Sequence, residues 1–445
     1  MTPASNGRGL TMSYTSTADP GPTERAGAER AGTIKSVRRV GVVGLGVMGL
    51  GIAQAVAAAG LRVVLVGRDA ESAISGQRRL AAQIGRQVSR NRLSSAAAAA
   101  LLENVEPSKD DASLDACDLA IESVDEDRGI KAQVLRRIEA ALPRTAPIAT
   151  NTSGLTISGL AVVLRRPERL IGLHFFSPVE RMLLVEVIPG VLTDRSTERG
   201  ALAFVANIGK RAVIARDSAG FFTSRVFAAY LDEALAMVGE GVSPALIEQA
   251  AQASGRAIGP LAVLDEVSLQ LNLQQGAQAR ADGLDERFCR PLAMPVLSLM
   301  TQFGRGGRRH GGGFYDWSPD GAKELWGEHE RAFRPTAKQP QQETIQLRLL
   351  CAEALEALHC LEENVIASAD DADAASLLGL SFPVRTGGIL HWVEDFGLGA
   401  FASACNGLAR DHGSRFKPSA WLEDLASRGL TLAAWRTQPR TGSVA

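Results

Sequence analysis

Apolar positions along the chain follow two regimes. The first starts at Val37, where Val37, Val40, Val42 and Val43 form a β-rich run that ends in Gly44-Leu-Gly-Val-Met-Gly49. Residues 52–59 then read as an Ala-rich helix and 61–66 as a buried strand. Strand, glycine turn, helix and strand within about 30 residues make a βαβ unit. Further strand-like runs at 119–121, 148–149, 170–173 and 185–188, separated by helical stretches such as 131–142, predict an α/β fold. Its N-terminal part is a Rossmann-type doubly wound sheet over residues 34–216.

From about Ser218 the period changes. Residues 221–238 form one long apolar-periodic segment and strand signals fade, which predicts a mainly α-helical domain over 217–317. Arg334-Pro-Thr-Ala-Lys-Gln-Pro-Gln-Gln342 is polar with two prolines, so 318–342 reads as a linker. Helical periodicity resumes at 345–361 in a second helical domain, 343–432, followed by a tail, 433–445. The two helical domains look repeat-related. Residues 233–242 align without gaps on 356–365, and the same offset pairs Arg225 with Arg348.

The chain's 445 residues suit about three domains. Residues 1–33 mix Ser, Thr, Gly, Ala and Pro with scattered arginines and read as a disordered arm. Lys plus Arg number 48 against 49 Asp plus Glu, a net charge of −1 that supplies no general field for nucleic acid or an anionic membrane. No apolar run approaches the ~20 residues of a transmembrane helix, so a soluble cytoplasmic protein is expected. The five cysteines are scattered, without a CxxC pair or Cys/His cluster, so neither a disulfide framework nor a metal site is expected.

The candidate chemistry begins at the glycine turn. Gly44, Gly46 and Gly49, with Val47 and Met48 opening the helix, form a GxGxxG dinucleotide-binding turn. The glycines allow a tight turn, close approach of a diphosphate and close helix–strand packing. The acidic residue that would end the second strand and hold a ribose 2′-hydroxyl is missing. Gly67 stands there, followed by Arg68, which suits a 2′-phosphate, and Asp69. NAD and NADP therefore both remain open. His174 follows an apolar strand and is trailed by Glu186 in Leu184-Val-Glu-Val-Ile188. A His–Glu pair can serve as a general base, and a lone His in an apolar run can equally be a core residue. Arg79, Arg86 and Arg90 share one helix face that could meet the phosphates of coenzyme A or simply be solvated.

Taken in order, Gly44-x-Gly-x-Met-Gly49, Asn151-Thr-Ser153, His174-Phe-Phe-Ser-Pro178, Val185-Glu-Val187, Gly220-Phe-Phe-Thr-Ser-Arg-Val226, 259–268 and 307–315 resemble the 3-hydroxyacyl-CoA dehydrogenase family. Residues 381–390 resemble the second C-terminal-type domain of the multifunctional fatty-acid-oxidation α-subunits, here without the enoyl-CoA hydratase half. The resemblance implies an NAD(P)-dependent enzyme acting on an acyl-CoA. His174 would be the base, Glu186 would orient it, and Ser153 and Ser224 would contact the substrate oxygen. Ser153, Glu126, Lys131, Ser177 and Arg309 match positions on the dinucleotide side. Departures are Gly67, Ala219 in place of a usual Pro, and Ser224 in place of a usual Asn.

Two alternatives remain beside that enzyme: a catalytically weak dinucleotide-binding regulator or scaffold, and a dehydrogenase acting on acyl-carrier-protein thioesters. For assembly, short family members pair through their helical domains. The duplicated domain predicts a monomer whose pairing is satisfied internally, or else a homodimer.

Overall fold

The computed structural model describes residues 37–318 and 320–436; the arm of residues 1–33 and the tail beyond 436 lie outside the described residues. Eight strands form one sheet: β1 (Arg39–Val43), β2 (Arg62–Val66), β3 (Val105–Ser108), β4 (Leu119–Glu122), β5 (Ile148–Thr150), β6 (Leu170–Phe175), β7 (Leu184–Pro189) and β8 (Arg211–Ile214). Their order is β3-β2-β1-β4-β5-β6-β7-β8. The first six are mutually parallel, β7 is antiparallel to β6, and β8 is parallel to β7. An order of 3-2-1-4-5-6 places a crevice at the carboxyl ends of β1 and β4, where the winding reverses.

Alternation along the strands divides the core in two. Val63 and Leu65 face one layer, built by α1 (Val47–Ala58), α2 (Ala70–Ser89), α3 (Ser95–Glu103) and, further along, by the Arg195–Asn207 helix. Val64 and Val66 face the other, with α4 (Arg128–Ala141) and α5 (Ile157–Ala161). Burial on both faces explains the near-continuous apolar runs of β1, β2 and β6. Numbering the Arg195–Asn207 helix α6, the helical part follows as α7 (Thr223–Gly239), α8 (Pro244–Ala253), α9 (Pro260–Val267), α10 (Leu269–Ala281) and α11 (Ala293–Gln302). After a hairpin of β9 (Tyr315–Trp317) and β10 (Lys323–Leu325) come α12 (His329–Ala332), α13 (Gln342–Glu362), α14 (Ala369–Gly379), α15 (Ile389–Phe396), α16 (Leu398–His412) and α17 (Ala420–Ser427). Among the described residues no helix is long and apolar enough to cross a membrane.

Strands β3 and β8 carry no sequence signal of their own. They are the two edges of the sheet, partly exposed, and β3 contains Pro107, so neither needs a long apolar run. Much of the stretch read as a linker is also structured. Trp326 N donates to Phe314 O, Lys323 lies over the Tyr315 ring, and Phe333 stacks on Phe314. Aromatic burial outweighs the polar composition of these residues.

The internal repeat is expressed as reciprocal ion pairs between α7 and α13. Arg225 donates to Glu356 (2.7 Å) and Glu363 (2.8 Å), while Arg348 donates to Glu233 (2.6 Å) and Glu240 (2.7 Å). Each residue of one set corresponds to its counterpart at the same offset, so the contact has the form of a twofold interface. A second correspondence extends the repeat. Glu248 on α8 accepts from Leu261 N at the start of α9, and Asp373 on α14 accepts from Leu390 N at the start of α15 (both 2.7 Å). The first contact faces Gly259 and the second Gly388, where a Cβ would collide with the capping carboxylate.

Candidate active site

At the crevice, Gly44 has φ +102°, and a Cβ there would lie 2.4 Å from the Ser123 carbonyl oxygen. A Cβ on Gly49 would lie 1.8 Å from the Gly44 carbonyl oxygen, so both must be glycine for α1 to close on β1 and β4. At Gly46 a Cβ would face open space. That position caps α1, no side chain caps the helix, and its first turn holds no acidic residue. The positive end of α1 is thus left for an anion beside a backbone with no Cβ, which fits a dinucleotide diphosphate.

His174 and Glu186 are register partners across the antiparallel β6–β7 pair, so their side chains leave the same face. His174 Nδ1 lies 2.7 Å from Glu186 Oε2. The carboxylate is wholly buried and is satisfied on all sides. Oε1 accepts from Phe222 N (3.2 Å) and Thr223 N (2.9 Å), and Oε2 accepts from the Thr223 hydroxyl as well as from His174. Apart from His174, these donors come from the N-cap residue Phe222 and the first residue, Thr223, of α7. The chain is aimed there by two successive left-handed residues, Gly220 (φ +76°) and Phe221 (φ +49°). A left-handed phenylalanine is uncommon, and here its ring lies 6.2 Å from the imidazole. Phe176 covers the imidazole at 4.4 Å. With Nδ1–H donating to a fixed carboxylate, Nε2 carries the lone pair, and an imidazole so held can take a proton there. The sequence points to the dyad but not to its support by the Gly220–Thr223 turn, although that segment opens a helix directly.

The Asn151-Thr-Ser153 turn is held by Glu126, whose Oε1 accepts from Thr152 Oγ1 (2.6 Å), Ser153 N (2.8 Å) and Ser153 Oγ (3.3 Å). Asn151 Oδ1 accepts from Phe175 N (3.0 Å), which ties this turn to the strand carrying His174. Lys131 points inward. Its fully buried amine bonds both oxygens of Glu122 (3.0 and 3.1 Å) and Asn151 O (2.9 Å), and it lies 3.5 Å from Glu126. It therefore shapes the crevice floor through Glu126 and Asn151. Ser224 is the second residue of α7, next to Thr223, and is half-buried; Ser177 and Arg309 are exposed.

Gly67 proves to be a packing glycine. A Cβ there would lie 2.6 Å from Ala73 N in α2, so a carboxylate cannot be placed at this position without moving the helix. Asp69 is the N-cap of α2, accepting from Ser72 N (2.7 Å), and these bonds hold its carboxyl below the usual range. Arg68 is exposed at the strand end. The three α2 arginines separate: Arg79 donates to Leu45 O in the glycine turn (2.7 Å), whereas Arg86 and Arg90 line a cavity of about 500 Å³ between α1, α2 and the β6–β7 connection. Arg92, Arg181 and Lys210 add positive charge to its wall, against one carboxylate, Glu180. Lys210 is anchored to Val179 O and Met182 O, and burial pulls its amine below the usual lysine range.

Comparison with known proteins agrees with this geometry. Residues 39–218 match the NAD binding domain of 3-hydroxyacyl-CoA dehydrogenase, and 220–317 match its C-terminal domain. The fatty acid oxidation complex subunit alpha of Shewanella halifaxensis is 33% identical over 316 residues, 70% of this chain and 44% of that protein, so the chain spans under half of that relative's length. The crystal structure of 3-hydroxybutyryl-CoA dehydrogenase from Escherichia coli K12 superposes with a TM-score of 0.75 at 25% identity, covering 88% of this chain and 99% of that one. The (S)-3-hydroxybutyryl-CoA dehydrogenase from Ralstonia eutropha superposes at 0.60 with 33% identity, covering 64% of this chain and all of that one. A dinucleotide turn, a buried His–Glu dyad and a co-linear match through both domains lead to one conclusion: the chain belongs to the NAD-dependent 3-hydroxyacyl-CoA dehydrogenase family.

Proposed function

We propose that the protein oxidises (S)-3-hydroxyacyl-CoA, or reduces the 3-oxoacyl-CoA, with His174 as the proton-transferring residue. The observation that carries this reading is the buried His174–Glu186 pair, with its Nδ1 committed to the carboxylate. A bound nicotinamide supplies the hydride acceptor. In the oxidation His174 Nε2 takes the 3-hydroxyl proton, and Glu186 keeps the ring in the competent tautomer and stabilises the imidazolium. Ser153, whose backbone N–H stays on Glu126 while its hydroxyl turns from that carboxylate to the substrate, and Ser224 on the first turn of α7 donate to the substrate oxygen. The dinucleotide-side set is Gly44, Gly46, Val47, Met48 and Gly49 at the diphosphate, with Arg68, Glu126, Ser153, Ser177 and Arg309 around it and Lys131 acting from beneath through Glu126 and Asn151. Loss of NADH absorbance on adding acetoacetyl-CoA tests the reaction; no turnover with either reduced cofactor would refute it.

Arg86 and Arg90 meet the coenzyme A phosphates in the cavity behind α1, while Arg79 steadies the glycine turn. Arg86→Ala with Arg90→Ala is expected to raise KM for acetoacetyl-CoA about tenfold and leave KM for acetoacetyl-pantetheine, which lacks those phosphates, unchanged. Equal effects on both substrates would remove the arginines from coenzyme A binding.

Arg68 lets the pocket accept NADP alongside NAD, because position 67, kept a glycine by packing, carries no carboxylate to repel a 2′-phosphate, and the Asp69 carboxylate is engaged in capping α2. Arg68→Ala is expected to lower kcat/KM for NADPH about tenfold and to leave NADH unaffected. A wild-type enzyme that uses NADH alone would show the arginine to be a surface residue.

A further inference from the structure

One donor to the dyad takes no direct part in the proton transfer. Thr223 is 1% exposed, and its hydroxyl donates to Glu186 Oε2, the same oxygen that accepts from His174 Nδ1. The backbone N–H of the same residue donates to the other oxygen, Oε1 (2.9 Å). One residue thus grips both ends of the carboxylate, and the imidazole shares its oxygen with an alcohol.

We infer that Thr223 is a positioning residue whose hydroxyl moderates the basicity of His174 by competing for Glu186 Oε2. This inference rests on the reading of His174 as the general base. The carboxylate stabilises the imidazolium in proportion to the charge left on Oε2. A second hydrogen bond to that oxygen draws part of the charge away, so the imidazole gives up its proton at lower pH than it would beside an unshared carboxylate. A valine in place of Thr223 keeps the shape of the side chain and both backbone bonds to Oε1. It removes only the competing donor.

The other groups around the carboxylate leave this effect intact. On α13 the Cys360 thiol is pushed well above its usual range by burial, so it stays neutral. Arg225, two residues along α7, is paired with Glu356 and Glu363. On the imidazole side the neighbours are the rings of Phe176 and Phe221.

The test is the pH dependence of kcat/KM for oxidation of 3-hydroxybutyryl-CoA by the full chain. Thr223→Val is expected to move the acid limb of the profile up by about one pH unit. KM for the acyl-CoA should change less than kcat measured on that limb, and Thr223→Ser should restore the wild-type profile. If the valine variant proves insoluble, Thr223→Ala also lacks the hydroxyl and is read the same way. A profile superimposable on wild type, or a serine variant that behaves like the valine one, overturns the inference. His174→Gln run alongside separates the two levels. If it keeps turnover, the base assignment fails; if it is inactive while the valine profile is unchanged, only the role of Thr223 fails.

Discussion

Replacing His174 with Gln lowers kcat for 3-hydroxyacyl-CoA oxidation by about 10²–10⁴-fold, the usual cost of removing a positioned general base, with KM for the acyl-CoA little changed. Gln is the informative substitution because its amide can still donate to Glu186 Oε2, so the buried carboxylate keeps its fourth donor and the fold is spared. An amide oxygen, however, does not hold a proton near neutral pH. Glu186→Gln produces a loss of similar size by a different route. The amide oxygen satisfies the N–H groups of Phe222 and Thr223, which forces its NH2 toward His174 Nδ1 and the Thr223 hydroxyl. Two donors then face each other until the imidazole changes tautomer, and the proton sits on Nε2, where the substrate proton should arrive. Steady-state kinetics with thermal melts on both variants check this. Near-wild-type turnover in His174→Gln would assign the base elsewhere.

What was legible in the sequence follows from what each residue had to satisfy. Strands β1, β2 and β6 are buried on both faces and announce themselves as apolar runs; the edge strands β3 and β8 have less to bury and are silent. The glycine turn was readable because close approaches at Gly44 and Gly49, with an open approach left at Gly46, put three glycines at fixed spacing. Gly67 looked like a lost acidic residue, yet its role is set by Ala73, a neighbour in space that the strand pattern does not reveal. Lys131 reads as a charged residue at a helix start, and only the approach of Glu122 and Asn151 turns it inward. The dyad itself needed two signals: the motif order identified His174 and Glu186, whereas the antiparallel register that sets them opposite each other comes from β7 reversing the direction of the sheet.

Truncation after Trp317 is expected to convert a monomer into a homodimer. In the intact chain, Leu184, Ile188 and Val213 of the sheet, Phe222 at the α7 N-cap and Val226 of α7 share one core with the buried apolar residues of 351–432, and Ile345 and Leu349 of α13 complete the core around α7. Removing the second helical copy opens this contiguous apolar face to water, which favours its being covered again. The exposed surface already has a complement. Because Arg225, Glu233 and Glu240 correspond to Arg348, Glu356 and Glu363, the α7 of a second molecule can lie where α13 lay. Arg225 of each would then meet Glu233 and Glu240 of the other, an isologous contact that closes at two. The intact chain makes the same contact within itself, so its pairing does not depend on concentration. Light scattering on both chains decides the matter, with Arg225→Glu in the truncated chain as the control. That charge reversal sets like charges across the twofold axis and should dissociate the dimer. A truncated chain that stays soluble and monomeric would mean the second copy is not a substitute for a partner subunit.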